Sequence, residues 1–169
     1  MIRIAFTGPE SSGKSTLAKA VSGAMQGAYV EEFARTYLEE EGPEYDIEDL
    51  DIMAQGHADA IRNTADALQL IDTDFIVYKV WSEHKYDSAS PLIHRLVSEN
   101  WFDLHVLCAP DIPWESDELR ENPDDRDTLF LRYVETLEKL RKSYIIVEGP
   151  HDKRLKKIEQ AIKQLQRIS

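Results

Sequence analysis

Gly8-Pro9-Glu10-Ser11-Ser12-Gly13-Lys14-Ser15 fits G-x-x-x-x-G-K-S at every fixed position. Ahead of it, Ile2 to Phe6 is a short apolar run that reads as a buried strand. Behind it, Leu17, Ala20, Val21 and Ala24 fall on one face of a helix predicted over Lys14 to Met25. Strand, glycine-rich turn and helix N-terminus are the context in which this motif cradles phosphate. Gly8 and Gly13 let the backbone bend and approach an anion without a Cβ clash. The loop through Glu10, Ser11 and Ser12 and the helix start at Thr16 present N–H groups to that anion. Lys14 reaches the β- and γ-phosphates of a nucleoside triphosphate, and Ser15 is a ligand for Mg²⁺. ATP and Mg²⁺ are therefore the expected cofactors. The competing reading, a turn that merely starts a helix, matches the complete pattern and its context less well.

Working outward, strand-like and helix-like segments alternate. Ala28 to Val30 is a second strand and Glu32 to Glu41 a helix that stops at Gly42-Pro43. Asp46 to Leu68 reads as one long helix, with Leu50, Met53, His57, Ile61, Ala65 and Leu68 at three- and four-residue steps. Gln69 to Ile71 is a third strand, and Phe75 to Tyr86 and Pro91 to Glu99 are helices. Asp103 to Cys108 is a fourth strand, Arg126 to Leu140 a helix, Tyr144 to Val147 a fifth strand and His151 to Ile168 a closing helix. This alternation predicts a three-layer α/β fold with a five-stranded parallel sheet. No repeat or linker divides the chain, so residues 1–169 are expected to form one domain. Ligands of such sheets bind at the carboxyl ends of the strands, which makes the residues after each strand the informative ones.

Asp72 and Asp74 follow the third strand. Asp72 is the better placed for a Mg²⁺-linked carboxylate; Asp74 fits either a site role or the N-cap of the next helix. Glu31, Glu32 and Arg35 follow the second strand. A carboxylate here suits an acceptor hydroxyl, and Arg35 suits a substrate, while an acidic first helical turn explains at least one glutamate without any site. After the fourth strand, residues 110–126 are long, polar and proline-rich, with Arg120 and Arg126 on them, as in a lid that closes over phosphates. The alternative is an exposed loop whose arginines pair with neighbouring acids such as Glu118 and Glu121. Gly149-Pro150 fits a pass beside an adenine ring or a plain turn. Trp81, Tyr86 and Trp114 offer faces for a flat ring, or core packing. His57 reads as a core or hydrogen-bonded histidine.

Composition narrows the partners. Twenty basic residues against thirty-two acidic give a net charge of −12 over 169 residues, so no nucleic-acid partner is expected. No apolar run is long enough to span a membrane, and Met1 leads straight into the first strand with no signal peptide. Cys108 is the single cysteine and reads as a buried, reduced thiol. Together these place the protein in the cytoplasm, acting on a small molecule.

The loop above, with Glu31-Glu32-Phe33-Ala34-Arg35 and Tyr37, Asp72-Thr73-Asp74, and Asp111-Ile112-Pro113-Trp114 followed by Asp117 and Arg120, resembles the ribosylnicotinamide kinase domain of bacterial bifunctional NAD-salvage proteins. The resemblance implies a nucleoside-kinase-like P-loop fold with strand order 2-3-1-4-5. It implies ATP- and Mg²⁺-dependent phosphorylation of nicotinamide riboside at its 5′-hydroxyl. Carried over residue by residue, it implies phosphate and Mg²⁺ roles for Lys14 and Ser15, catalytic roles for Asp72, Asp74, Arg120 and Arg126, and a substrate-side role for Arg35; Glu31, Glu32, Trp81 and Trp114 are acceptor-contact candidates from their own positions after the strands and near the cleft. Neither an adenylyltransferase domain nor a DNA-binding helix-turn-helix is expected in this chain. A kinase for another nucleoside-like substrate, or a regulatory ATPase module, would share most of these features.

Overall fold

β1 (Ile2–Thr7) is the middle strand of a parallel five-stranded sheet. It pairs with β3 (Leu68–Asp72) on one side and β4 (Leu104–Cys108) on the other, and β2 (Ala28–Val30) and β5 (Tyr144–Val147) form the edges. The order β2-β3-β1-β4-β5 is the one the resemblance implies. The computed structural model describes residues 1–116 and 124–168. Seven helices lie within them: α1 (Lys14–Met25), α2 (Phe33–Glu41), α3 (Ile47–Asn63), α4 (Phe75–Tyr86), α5 (Pro91–Ser98), α6 (Arg126–Lys139) and α7 (His151–Ile168).

Three layers follow from how the strands share their side chains. Ile4, Phe6, Leu70 and Val106 pack with Leu17 and Val21 of α1 and Ile158 and Ile162 of α7. Val30, Ile71 and Leu107 pack with α2 through α6 in a larger core on the other face. Both faces are covered, and β3 and β4 are accordingly buried along their whole length and mostly apolar, as parallel sheets require. Register sets the site. Phe6 lies opposite Asp72 and Val106, and Thr7 lies opposite Leu107, so β1, β3 and β4 all end along one edge. Cys108 is buried at that edge as a free thiol, and burial pushes its pKa up to about 12. Among the described residues no helix is long and apolar enough to cross a membrane.

One boundary differs from its expectation. The apolar spacing from Leu50 predicts helix as far as Leu68, but α3 ends at Asn63. Leu68 is instead the first residue of β3, opposite Ile2, and the Ile2 N–H donates to Ala67 O at 2.7 Å. Long-range pairing with the central strand outweighs the local helical pattern there. The other end of α3 is fixed locally. Asp46 accepts from the N–H groups of Glu48 and Asp49, and the Asp49 carboxylate accepts from the Asp46 N–H, a reciprocal capping box.

His57 of α3 is fully buried and packs edge-on to Phe75. Its Nε2 lies 3.1 Å from Thr73 O; a carbonyl can only accept, so Nε2 carries the proton. Burial lowers its pKa, outweighing the Thr73 hydrogen bond and the Asp72 and Asp74 carboxylates. The folded chain therefore resists a proton that the unfolded chain takes up below about pH 6.5, and stability falls as pH drops through that point. Thermal unfolding from pH 8 to pH 5 should show this residue contributing a slope of at most about 1.4 kcal/mol per pH unit. His57→Gln should flatten that part of the profile.

Candidate functional site

The chain leaves β1 through Gly8, whose φ is +130°. A Cβ on residue 8 would sit 2.7 Å from Cys108 O, so this approach to β4 admits only glycine. Gly13 takes φ +88° and stands at the N-cap of α1, where no side chain caps the helix. The first N–H groups of α1 thus face outward with the positive end of the helix dipole behind them. Lys14 Nζ folds back onto Gly8 O and Pro9 O, each at 2.9 Å. Ser12 Oγ donates to Pro9 O at 2.7 Å and stiffens the same turn.

A cavity of about 380 Å³ opens from this loop. One side is the loop itself, Gly8 to Leu17. The facing wall is apolar and comes from Ala34 and Leu38 of α2, Val77, Val80 and Trp81 of α4, and Leu129 and Tyr133 of α6. Glu32 and Arg35 stand at the junction of the two walls. Trp81 is held in place by Tyr45: its Nε1 donates to Tyr45 Oη at 2.6 Å, and the rings meet edge-on at 4.9 Å. Arg35 Nε donates to Glu39 at 3.0 Å, an exposed pair worth little to stability.

The four predicted carboxylates stand in four different situations. Glu32, the N-cap residue of α2, faces the cavity. Burial and the nearby Asp72 carboxylate raise its pKa to about 7. Lys14, the Thr73 hydroxyl (close by but outside hydrogen-bond geometry) and Arg35 oppose that rise. Asp72 ends β3 and is almost fully buried. Its Oδ2 accepts from Tyr29 Oη at 2.8 Å, and its Oδ1 has no hydrogen-bond partner. Asp74 lies apart from the cavity wall. It caps α4 by accepting from Val77 N, and takes hydrogen bonds from Thr7 Oγ1 at 2.9 Å and His105 Nδ1 at 2.7 Å. Of its two readings the geometry favours the cap. Glu31 is exposed and also off the wall.

Of the segment after β4, only part is described; Arg120 lies outside the described residues. Arg126 Nη1 donates to Ser11 O at 3.2 Å and Ile112 O at 3.1 Å, which joins the phosphate loop to the first arm of that segment. Trp114 is off the cavity wall and lies under the Arg126 guanidinium, 5.6 Å from its ring centroid.

The sequence reading missed Arg154. It is nearly fully buried on α7, with Nη1 donating to Ser12 O at 2.9 Å, Nε to Gly149 O at 2.8 Å and Nη2 to Ala109 O at 3.2 Å and to Asp111 Oδ1. Asp111 in turn accepts from Gly149 N at 2.6 Å. One guanidinium thus ties together the phosphate loop, the end of β4 and the turn before α7. A signal was present: Arg154, Ile158 and Ile162 occupy one buried four-residue stripe of α7, and an arginine on such a stripe needs partners.

A family model described as an AAA domain matches residues 3–154. The chain belongs to the AAA domain family. The trifunctional NAD biosynthesis/regulator protein NadR of Escherichia coli is 31% identical to it over 154 residues, 86% of this chain and 38% of that protein. NadR of Salmonella typhimurium is 29% identical over 172 aligned positions, 96% of this chain and 42% of that protein. The chain therefore spans about two fifths of the length of these relatives. A crystal structure of NadR protein in complex with NR superposes with a TM-score of 0.73 at 23% identity, covering 90% of this chain and 45% of that one. Deoxyadenosine kinase from M. mycoides superposes with a TM-score of 0.70 at 12% identity, covering 97% and 100%. At these identities the structural likeness shows a shared fold, the nucleoside-kinase-like P-loop fold expected from the sequence. The resemblance drawn from the loop, the Glu31–Arg35 segment and Asp111–Trp114 is borne out by the NadR relatives.

Because Arg154 satisfies carbonyls from three segments of this AAA domain, removing it leaves them buried without donors. Arg154→Met should lower stability by about 2–4 kcal/mol, roughly 5–15 °C in Tm, and weaken nucleotide binding in a thermal-shift titration with ATP. Asp111→Ala removes a partner that is 40% exposed and should cost less.

Proposed function

We propose that this chain is an ATP-dependent phosphotransferase that phosphorylates nicotinamide riboside at its 5′-hydroxyl, giving nicotinamide mononucleotide. The observation that carries the reading is one cavity with two unlike walls: a phosphate cradle, and an apolar face with a braced tryptophan, meeting at Glu32 and Arg35. A switch ATPase needs the first wall only. The NadR relatives are named for NAD biosynthesis, and one NadR structure holds NR, which supports this substrate class.

Roles follow from chemistry. The loop N–H groups and Lys14 hold the β- and γ-phosphates, Lys14 exchanging its two loop carbonyls for phosphate oxygens. Trp81 takes the flat ring of the acceptor, and Arg35 its polar part. Glu32 accepts the proton of the attacking hydroxyl as the bond from the γ-phosphorus to the bridging oxygen of ADP breaks and a new phosphorus–oxygen bond forms. Its raised pKa keeps it a usable proton acceptor near neutral pH. Arg126, and Arg120 with it, serve the transferred phosphoryl group as lid residues.

Residues present fit Mg²⁺. Among the described residues no cluster of three or more His, Cys, Asp or Glu side chains could hold a metal alone. Mg²⁺ needs no such cage, since it keeps waters and substrate phosphate oxygens. Ser15 is exposed at the start of α1, and Asp72 Oδ1 is a buried oxygen with no donor. These two would hold the ion, which would offset charge on the phosphates.

A second reading, phosphorylation of a different nucleoside, is favoured by the deoxyadenosine kinase, whose whole length matches this fold. A nucleoside panel with ATP and Mg²⁺, read by ADP release and product mass, separates them. Nicotinamide riboside should give the mononucleotide with the highest kcat/KM; a deoxynucleoside used in its place would overturn the first reading. ATP hydrolysis unchanged by every acceptor would overturn both. Glu32→Gln should reduce kcat by about a hundredfold or more with little change in ATP affinity. Lys14→Ala should abolish turnover of every acceptor.

A further inference from the structure

Asp72 is placed by two independent supports outside the cavity. On one side, Tyr29 Oη on the edge strand β2 donates to Asp72 Oδ2 at 2.8 Å. On the other, Thr73 takes φ +78°, a left-handed conformation that a β-branched residue avoids. Strain of that kind persists only where surrounding contacts over-determine it. Here they do. Thr73 N donates to Phe6 O at 3.1 Å, His57 Nε2 donates to Thr73 O at 3.1 Å, and Asp74 is locked by Thr7, His105 and Val77. His57 and Tyr29 are absent from the cavity wall, so neither touches a substrate held there. His57 buries an unpartnered Nδ1, a cost that an apolar residue in its place would avoid.

We propose that Tyr29 and the His57-pinned Thr73 turn are positioning elements for Asp72. They fix one carboxylate oxygen and keep the other, Oδ1, clear of protein donors for the nucleotide-bound cation. The proposal rests on the phosphotransferase reading of Asp72 above. Burial and the Asp72 carboxylate hold the Tyr29 phenol well above its usual pKa range, so it remains a donor throughout the working pH range. Supports of this order typically govern metal affinity and activity by one or two powers of ten.

The test compares Tyr29→Phe, His57→Leu, His57→Gln and Asp72→Asn by steady-state kinetics, and by calorimetric binding of ADP with and without Mg²⁺. Tyr29→Phe removes one oxygen and leaves the ring, so folding should survive. It should lower kcat about tenfold to a hundredfold and shrink the Mg²⁺-dependent gain in ADP affinity by a similar factor. KM for the acceptor and Mg²⁺-free ADP binding should stay within about twofold. Added to Asp72→Asn, it should cost less than about twofold more, because it acts through that carboxylate. His57→Leu should behave like Tyr29→Phe, while His57→Gln, which keeps an N–H donor, should restore most of the activity. Wild-type kcat and Mg²⁺ response in Tyr29→Phe, with Asp72→Asn impaired, would overturn the proposal alone. The same holds if the Tyr29→Phe loss multiplies fully onto that of Asp72→Asn. Full activity in Asp72→Asn would instead overturn the reading of Asp72 beneath it.

Discussion

The carbonyl of Cys108 occupies the space a side chain on residue 8 would need. That contact fixes much else. β1 and β4 must be neighbours for it to exist, and their register, Thr7 opposite Leu107, carries the phosphate loop over the end of β4. The chain beyond β4 then emerges beside the loop, where Ala109 O and Asp111 meet Arg154. A rigid cradle is what anion binding asks for, since N–H groups aligned beforehand cost nothing to reorganise when phosphate arrives. Here Ser12 Oγ stiffens the loop from within, Arg154 from beneath and Arg126 from the side of the following segment.

A chain of net charge −12 can host an anion only by local arrangement. Lys14, Arg126 and Arg154 converge on the loop, and in this state all three rest on backbone carbonyls. For Lys14 and Arg126 those carbonyls hold the cation in place without neutralising it, whereas Arg154 is also paired with the Asp111 carboxylate. Most of the predicted carboxylates are kept one step back. Asp72 is buried behind the wall, Asp74 is tied into the Thr7–His105 network, and Glu32 alone of the four predicted acids reaches the cavity. Burial, with the nearby Asp72 carboxylate, raises the Glu32 pKa to about 7, so Glu32 carries less than a full charge near neutral pH.

What was legible in the sequence was local. The loop motif, its flanking strand and helix, and the alternation of apolar runs each depend on a few adjacent residues, and all stand in the structure. The strand order came from resemblance, since no periodicity reports which strands pair. Where local and long-range signals compete, the sequence misleads or stays ambiguous. Leu68 continues a helical stripe but belongs to β3 because Ile2 is there to pair with it. Asp74 reads equally as cap and site, because both roles place an acid just after a strand. Trp114 sits in the most distinctive segment of the chain yet stacks on Arg126 rather than facing the cavity. Tyr29 gave no signal: its partner lies 43 positions away, and nothing in Ala28-Tyr29-Val30 marks the phenol as a donor.

The two cores divide the work in a way the topology imposes. The cradle grows from β1 into α1 and is backed by the smaller core beneath α1 and α7. The apolar wall is the open rim of the larger core on the opposite face, where Ala34, Leu38, Val80 and Leu129 pack inward. A molecule held by the cradle and one held by the wall therefore sit on opposite faces of the sheet's carboxyl edge and meet only above it. β3 ends along that edge between β1 and β2. Its last residue is Asp72, and the turn beyond it holds Thr73, the one β-branched residue among the described residues with a left-handed φ. Ordinary packing would not sustain Thr73 at φ +78°. The hydrogen bonds that do sustain it come from the neighbouring strand and from a covering helix, from Phe6 on β1 and from His57 on α3. The seam between the two cores is thus held in one geometry at the end of β3.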